Sequence, residues 1–323
     1  MEIALCHPAP ESIRYAAQIG SHFSCLDLSW AMIQPEPDTF NFSCYDQIVA
    51  EARKLGVKLI AGVSNQRGIN YFPDEHWIWR NHRGMQPDPS SWGEFLKVVV
   101  DRYKDTIRYW EVWSEPNCRS CNPMSYYDPY RYREVLKLGS RTIRAVDSSA
   151  KIVFGGLWLN YLRSYYLKPL LTAEMFDYFD IFNWHFFLMA HSREMVPFRL
   201  WKPVFDEWNG FFRARLPENC PIWVTEFGLP TQTGNSEILY THTRGRIYGL
   251  TEVEQADWFS HFAEAAERDW GLNLLAWLML RDQEDPTNYY VSTTGMQRGD
   301  GSPKPLAERI IHHQANVNLA IDK

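Results

Sequence analysis

Two glutamates stand at the ends of short apolar runs, and they are the residues of this chain best placed to do chemistry. Glu115 sits near the end of IRYWEVWSEPN, Ile107 to Asn117, between Ser114 and Pro116. Glu226 ends the run PIWVTEFG in the same way, with Gly228 close behind it. Both runs are dense in aromatic and β-branched residues and stop at turn formers, the pattern of a buried strand. A carboxylate at the tip of a buried strand is costly to desolvate, so it is kept for a reason. One reason is structural, an acid paired with an arginine. The other is catalytic: two facing carboxyl groups can divide labour, one carrying a proton and one attacking as a nucleophile. The matched placement of the two acids favours the catalytic reading, because perturbed carboxylates cluster in active sites.

The rest of the chain must hold those two tips. Its 323 residues are 45% hydrophobic and 22% charged, which describes a soluble globular protein with an ample core. The formal net charge is −6 and no lysine- or arginine-rich run occurs, which argues against a nucleic-acid or anionic-membrane partner. No apolar run reaches transmembrane length. The start, MEIALCHPAPE, has no basic segment followed by a long apolar one. As it stands the sequence reads as cytoplasmic, or as a secreted protein whose leader has been removed. Cysteines at 6, 25, 44, 118, 121 and 220 are scattered, as suits a reducing compartment. Cys118 and Cys121 make a CxxC just past Glu115, but no second such pair exists, so a loop disulfide or free thiols are expected and no metal or other cofactor.

Taken in order, short apolar runs alternate with amphipathic ones. Strands are expected at Met1 to His7, His22 to Leu28, VKLIAGV, the Glu115 run, KIVFGGLWL, FDIFNWHFF, the Glu226 run and LNLLAWLML. Helices are expected at Glu11 to Ile19, Tyr45 to Leu55, Ser91 to Tyr103, Tyr130 to Val146, Tyr161 to Thr172, Leu200 to Arg213, Glu252 to Arg268 and Pro305 to His313. Thr251 and Glu254 spell a capping box before the seventh of these. The strands are apolar along their length, as parallel strands buried on both faces should be. No linker divides the chain, so the expectation is a single α/β domain over residues 1–323, a (β/α)8 TIM barrel. A doubly wound sheet would open on a glycine-rich phosphate turn, and here that loop reads HPAPE. On the barrel, Glu115 ends the fourth strand and Glu226 the seventh, both on the face where barrel active sites are built.

At this point the sequence resembles the retaining glycoside hydrolases of clan A, most closely family 39. The likeness runs through WAMIQPEPDTFNFSCYDQIVAEARKLGVKLI, YWEVWSEPN, WVTEFG and TTGMQRGDGSPKP, in that order, and covers nearly the whole chain. It implies that Glu115 is the acid/base and Glu226 the nucleophile of a double displacement on a β-linked oligo- or polysaccharide. Such a pair should have pKa values driven apart, with Glu115 protonated and Glu226 ionised. Three positions depart from the clan's pattern: Cys25 stands where an arginine usually supports the nucleophile, Ser114 replaces an asparagine, and His185-Phe186-Phe187 replaces His-x-Tyr. Those departures leave two further readings open, a carbohydrate-binding barrel with lost turnover and a transglycosidase using the same glutamates. Further candidates for binding sugar are Trp30, His185, Trp158, Trp277 and Arg281, any of which could instead be core or rim. Glu111 shares the parity of Glu115 and should point inward, where a structural ion pair is expected. Tyr71, Trp77 and Trp79 in a long loop, and Tyr289 and Tyr290 in another, are the remaining aromatic candidates.

Overall fold

Eight parallel strands close into a ring with helices packed outside it. The computed structural model describes residues 1–6, 9–64, 89–118, 128–232, 238–240, 245–283 and 292–321. The ring is β1 (Glu2–Leu5), β2 (Phe23–Ser29), β3 (Lys58–Ser64), β4 (Tyr109–Val112), β5 (Lys151–Phe154), β6 (Phe182–Phe187), β7 (Ile222–Gly228) and β8 (Leu274–Trp277). Successive strands pair in order, and β8 returns to β1 with Glu2 beside Leu274 and Leu5 beside Trp277. Between β5 and β6 the seam is a Val153–Ile181 bridge, with Phe154 N–H donating to the Ile181 carbonyl at 2.8 Å. Past Gly155 and Gly156, β5 resumes as Leu157–Trp158 beside Trp184 and His185. The fold is therefore the α/β TIM barrel that the alternation predicts.

The helices are α1 (Pro10–Gln18), α2 (Trp30–Ile33), α3 (Ser43–Leu55), α4 (Pro89–Tyr103), α5 (Pro129–Val146), α6 (Ser164–Leu167), α7 (Phe198–Arg213), α8 (Glu252–Ala265) and α9 (Pro305–Ile321). Local chemistry explains several boundaries. Gly56 ends α3 in the left-handed region at φ 70°, where glycine is at least cost. The capping box of α8 forms as read, with Glu254 N–H on Thr251 Oγ1 at 3.2 Å and Thr251 N–H on Glu254 Oε2 at 2.8 Å. The expected helix over Tyr161 to Thr172 does not form as one piece: only the turn α6 and flanking 3₁₀ turns are present. Its apolar residues Leu162, Tyr166, Leu167 and Leu170 are buried all the same, so burial was legible there and periodicity was not.

Two apolar layers hold the ring. Outside, the strands pack on the helices through residues such as Leu28, Trp110, Phe154, Trp184, Phe186 and Phe227. Inside, Phe23, Tyr109 and Trp223 meet at 5.2–5.7 Å between ring centres and plug the end where the strands begin. At the opposite end a buried ion pair joins the segments that follow β7 and β8. Lys304 Nζ, its side chain 1% exposed, lies 2.7 Å from Asp282 Oδ2, and donates to Thr231 Oγ1 at 3.0 Å and the Thr293 carbonyl at 3.1 Å. Removing the lysine would leave Asp282 largely buried without its cation. Lys304→Ala should therefore destabilise the protein by about 3 kcal/mol, seen as a lower urea midpoint, and adding Asp282→Asn should recover part of the loss. An unchanged midpoint for Lys304→Ala would show that the pair does not hold these segments.

Candidate active site

The backbone that presents Glu115 is under visible constraint. Just past β4, Trp113 and Glu115 both have positive φ, 68° and 46°, in a region that side chains other than glycine rarely enter. Hydrogen bonds from Trp113 N–H to Val63 O at 3.1 Å and from Glu115 N–H to Gly156 O at 3.0 Å hold the chain there. The second contact depends on the break in β5. A β-carbon on Gly155 would lie 2.5 Å from the Trp113 carbonyl oxygen, and one on Gly156 would lie 1.8 Å from His185 Nε2. The paired glycines inside an otherwise strand-like run are the sequence signal of that close approach. Asn117 then clasps the resumed strand, giving its Nδ2 to Trp158 O at 2.9 Å and taking Trp158 N–H at 2.8 Å.

Glu226 reaches the same place by a different device. Trp223 faces Asn183 on β6 and Leu274 on β8, yet Glu226 faces His185 and Phe227 faces Trp277, so β7 slips against both neighbours. The extra residue of such a bulge lets two successive side chains, Thr225 and Glu226, both approach His185. Sequence parity alone would have sent one of them outward. Thr225, the T of the VTEFG run, is not among the residues that the sequence singles out.

His185 is the hub. Its Nδ1 lies 3.3 Å from Glu115 Oε1 and 3.6 Å from Glu226 Oε2. Its Nε2 lies 2.9 Å from Thr225 Oγ1 and 3.7 Å from Glu111 Oε1. Glu111 is buried beneath, accepting Gly156 N–H at 3.0 Å and the Thr225 hydroxyl at 2.8 Å. Inward-pointing Glu111 is thus as expected, and its basic neighbour is His185. Glu115, His185 and Glu226 each present one donor atom within 4.8 Å of the other two, so this is also the group of described residues able to take a cation.

The charges follow from burial and neighbours. Burial works against a charged imidazole at His185, but Glu226, the contact with Glu115, and Glu111 outweigh it and lift its pKa to about 9. Burial pushes the Glu226 carboxyl up to about 8; His185 opposes that rise and Glu115, Glu111 and Asp27 add to it. Burial likewise raises Glu111, and it raises Asp27 to about 7 with Glu111 reinforcing. Burial thus favours the protonated Glu226 carboxyl, against the ionised form that the resemblance implies. On β2 the buried Cys25, whose thiol lies against Cys6, brings no positive charge to oppose that burial.

The remaining candidates divide. Ser114 is buried and its hydroxyl has no hydrogen-bond partner among the described residues. Trp158 lies in the inner layer, edge-on to Phe187 at 6.3 Å. Trp30 and Trp277 do not face the glutamates. Trp30 donates to Gln34 Oε1 at 2.8 Å and stacks on Phe95 in the outer layer. Trp277 donates to Thr294 O at 2.8 Å between Phe227 and Phe259. Arg281 is on the rim, paired with Glu11 at 2.6 Å. Cys118 is buried, while Cys121, Tyr71, Trp77, Trp79, Tyr289 and Tyr290 lie outside the described residues.

Comparison with known proteins gives the barrel its relatives. No family model matches the chain. A probable mannan endo-1,4-β-mannosidase A of Aspergillus clavatus is 26% identical over 121 residues, 34% of this chain and 31% of that protein, so the match spans about a third of the relative's length. Among solved structures, a family 39 glycoside hydrolase from Bacteroides cellulosilyticus WH2 superposes with a TM-score of 0.68 at 18% identity, covering 96% of this chain and 62% of that one. The GH39 enzyme of Xanthomonas axonopodis pv. citri gives a TM-score of 0.63 at 12% identity, covering 97% and 66%. At these identities the shared property is the fold, and the fold of this chain is the one on which family 39 glycoside hydrolases are built.

Proposed function

We propose that the chain is a retaining glycoside hydrolase acting on a β-linked oligo- or polysaccharide, with Glu115 as acid/base and Glu226 as nucleophile. The observation that carries this is the separation of the two acids. Their nearest carboxyl oxygens lie within 4.8 Å of each other. Retaining pairs stand roughly 5 Å apart, whereas inverting pairs stand roughly 6.5–9.5 Å apart to admit a water between acid and base. The shared barrel and the mannosidase relative support the same substrate class.

In the proposed reaction Glu226 attacks the anomeric carbon while Glu115 gives its proton to the leaving oxygen, so one C–O bond forms as another breaks. Glu115, now a carboxylate, takes a proton from water, and that water displaces Glu226 from the sugar. Ser114, His185 and Trp158 are the binding candidates at the mouth beside the pair. The free enzyme thus needs a proton on Glu115 and none on Glu226.

Two measurements test the reading. Activated aryl β-glycosides should be cleaved with retention, followed by NMR of the first-formed anomer. Glu226→Ala should abolish turnover, while Glu115→Ala should keep activity on good leaving groups and give a β-azide product when azide is added. Inversion at the anomeric carbon, or an unaffected Glu226→Ala, would sink the proposal. The second concerns pH. The pair works while it holds one proton, placed on Glu115 and absent from Glu226, and that proton is lost as pH rises through the raised value of Glu226. The basic limb of kcat/KM should therefore fall near 8. A profile with no loss of activity on the alkaline side of that value would show that Glu226 does not hold a proton there.

A further inference from the structure

Hydrogen-bond accounting around Thr225 fixes where His185 carries its protons. The Thr225 hydroxyl has one proton to give and three partners: Asn183 Nδ2 at 2.6 Å, Glu111 Oε2 at 2.8 Å and His185 Nε2 at 2.9 Å. Asn183 can only donate, because its Oδ1 already accepts Thr225 N–H at 3.1 Å. That leaves the hydroxyl one donating and one accepting role for Glu111 and His185. As a carboxylate Glu111 only accepts, and its other oxygen takes Gly156 N–H at 3.0 Å. Thr225 must then donate to Glu111, and His185 Nε2–H must donate to Thr225. The proton on Nε2 is held, and the one that can come and go is on Nδ1, between Glu115 Oε1 at 3.3 Å and Glu226 Oε2 at 3.6 Å.

We propose that Glu111 is a positioning residue: acting through Thr225, it keeps His185 protonated at Nε2, so that Nδ1 carries the proton exchanged between Glu115 and Glu226. The kinetic consequence rests on the glycosidase reading, but the tautomer does not. The exchange balances without any outside proton. Glu226 Oε2 gives its proton to Nδ1, Nδ1 gives one to Glu115 Oε1, and a pair with the proton on the nucleophile becomes a pair with the proton on the acid. That conversion is what a buried nucleophile needs when its own environment favours the protonated form. Among the described residues the titratable groups facing His185 are Glu111 on β4, Glu115 beyond it and Glu226 on β7, with Asp27 and Cys25 across the barrel on β2.

Glu111→Gln tests this with almost no change in shape. Gly156 N–H would keep the amide oxygen, so the amide nitrogen would donate to Thr225. The hydroxyl would then have two donors on it and give its own proton to Nε2, forcing the His185 proton onto Nδ1 and preventing the doubly protonated ring. The ¹⁵N imidazole spectrum, with His185 identified by its loss in His185→Asn, should show Nε2 protonated in the wild type and unprotonated in the variant. On an activated aryl glycoside, kcat should fall about 10-fold or more, with KM little changed and the pH profile displaced. Thr225→Val, which cuts the same link, should displace the pH profile likewise, and Thr225→Ser should restore the wild-type tautomer and rate. A folded Glu111→Gln protein that keeps Nε2 protonated overturns the proposal, whatever its activity. So does a Thr225→Val protein with the wild-type tautomer and pH profile.

Discussion

The arrangement around His185 is governed by one constraint, that carboxyl groups taken out of water must each be given a partner. Glu111, Glu115 and Glu226 converge on a single imidazole, with Asp27 near enough to raise Glu226 further. Desolvation alone disfavours every one of those charges. Glu111 is accommodated by a backbone N–H and a hydroxyl, both of which stabilise its ionised form. Glu115 and Glu226 instead share one face of the histidine. Since Nδ1 holds a single proton, the two acids meet at one exchangeable position.

Reaching that arrangement takes backbone that the barrel would not otherwise adopt. Two residues with positive φ follow β4, β5 is interrupted by glycines that no larger residue could replace, and β7 carries a bulge. Each costs stability locally, of order 1–3 kcal/mol for a residue in a sparsely populated conformation. The scaffold can bear it because the rest of the ring is conventional: apolar strands between an aromatic plug and a layer of amphipathic helices. The irregular features all fall where β4, β5 and β7 approach one another at His185, which is where a regular sheet would keep the acids apart.

What could be read in the sequence, and what could not, divides along the same line. The alternation of strands and helices, the αL glycine after α3 and the capping box of α8 are local or periodic signals, and the structure follows them. The inward direction of Glu111 followed from parity because β4 is regular at that point. Parity failed where regularity fails. Thr225 and Glu226 both approach His185 through a bulge that no spacing rule announces. Trp277, on β8, and Trp30, in the short α2 that the turn-rich stretch concealed, both belong to the outer layer. Tyr161 to Thr172 is apolar enough to be helix or loop, and only tertiary packing decides between them. Arg281 lies just past β8, and its partner Glu11 is 270 positions away in the chain, so nothing local could have named it.

The residue at position 25 ties these strands together. An arginine there would hold a permanent charge beside Glu226, insensitive to pH across the whole range in which proteins work. Cys25 carries no such charge, and among the described residues the basic group within reach of Glu226 is His185, which is charged only while it holds its second proton. A cation that can be lost is weaker support than one that cannot, yet it does something arginine is unable to do. On the exchange proposed above it would take the proton that burial places on Glu226 and present it to Glu115 across the same ring nitrogen. A thiol at position 25 with a histidine between the acids would thus trade a fixed field for a movable proton, useful only if the histidine's other nitrogen is committed. The buried Glu111–Thr225–Asn183 set would supply that commitment, which gives a carboxylate deep in the barrel a role with no arginine beside it among the described residues.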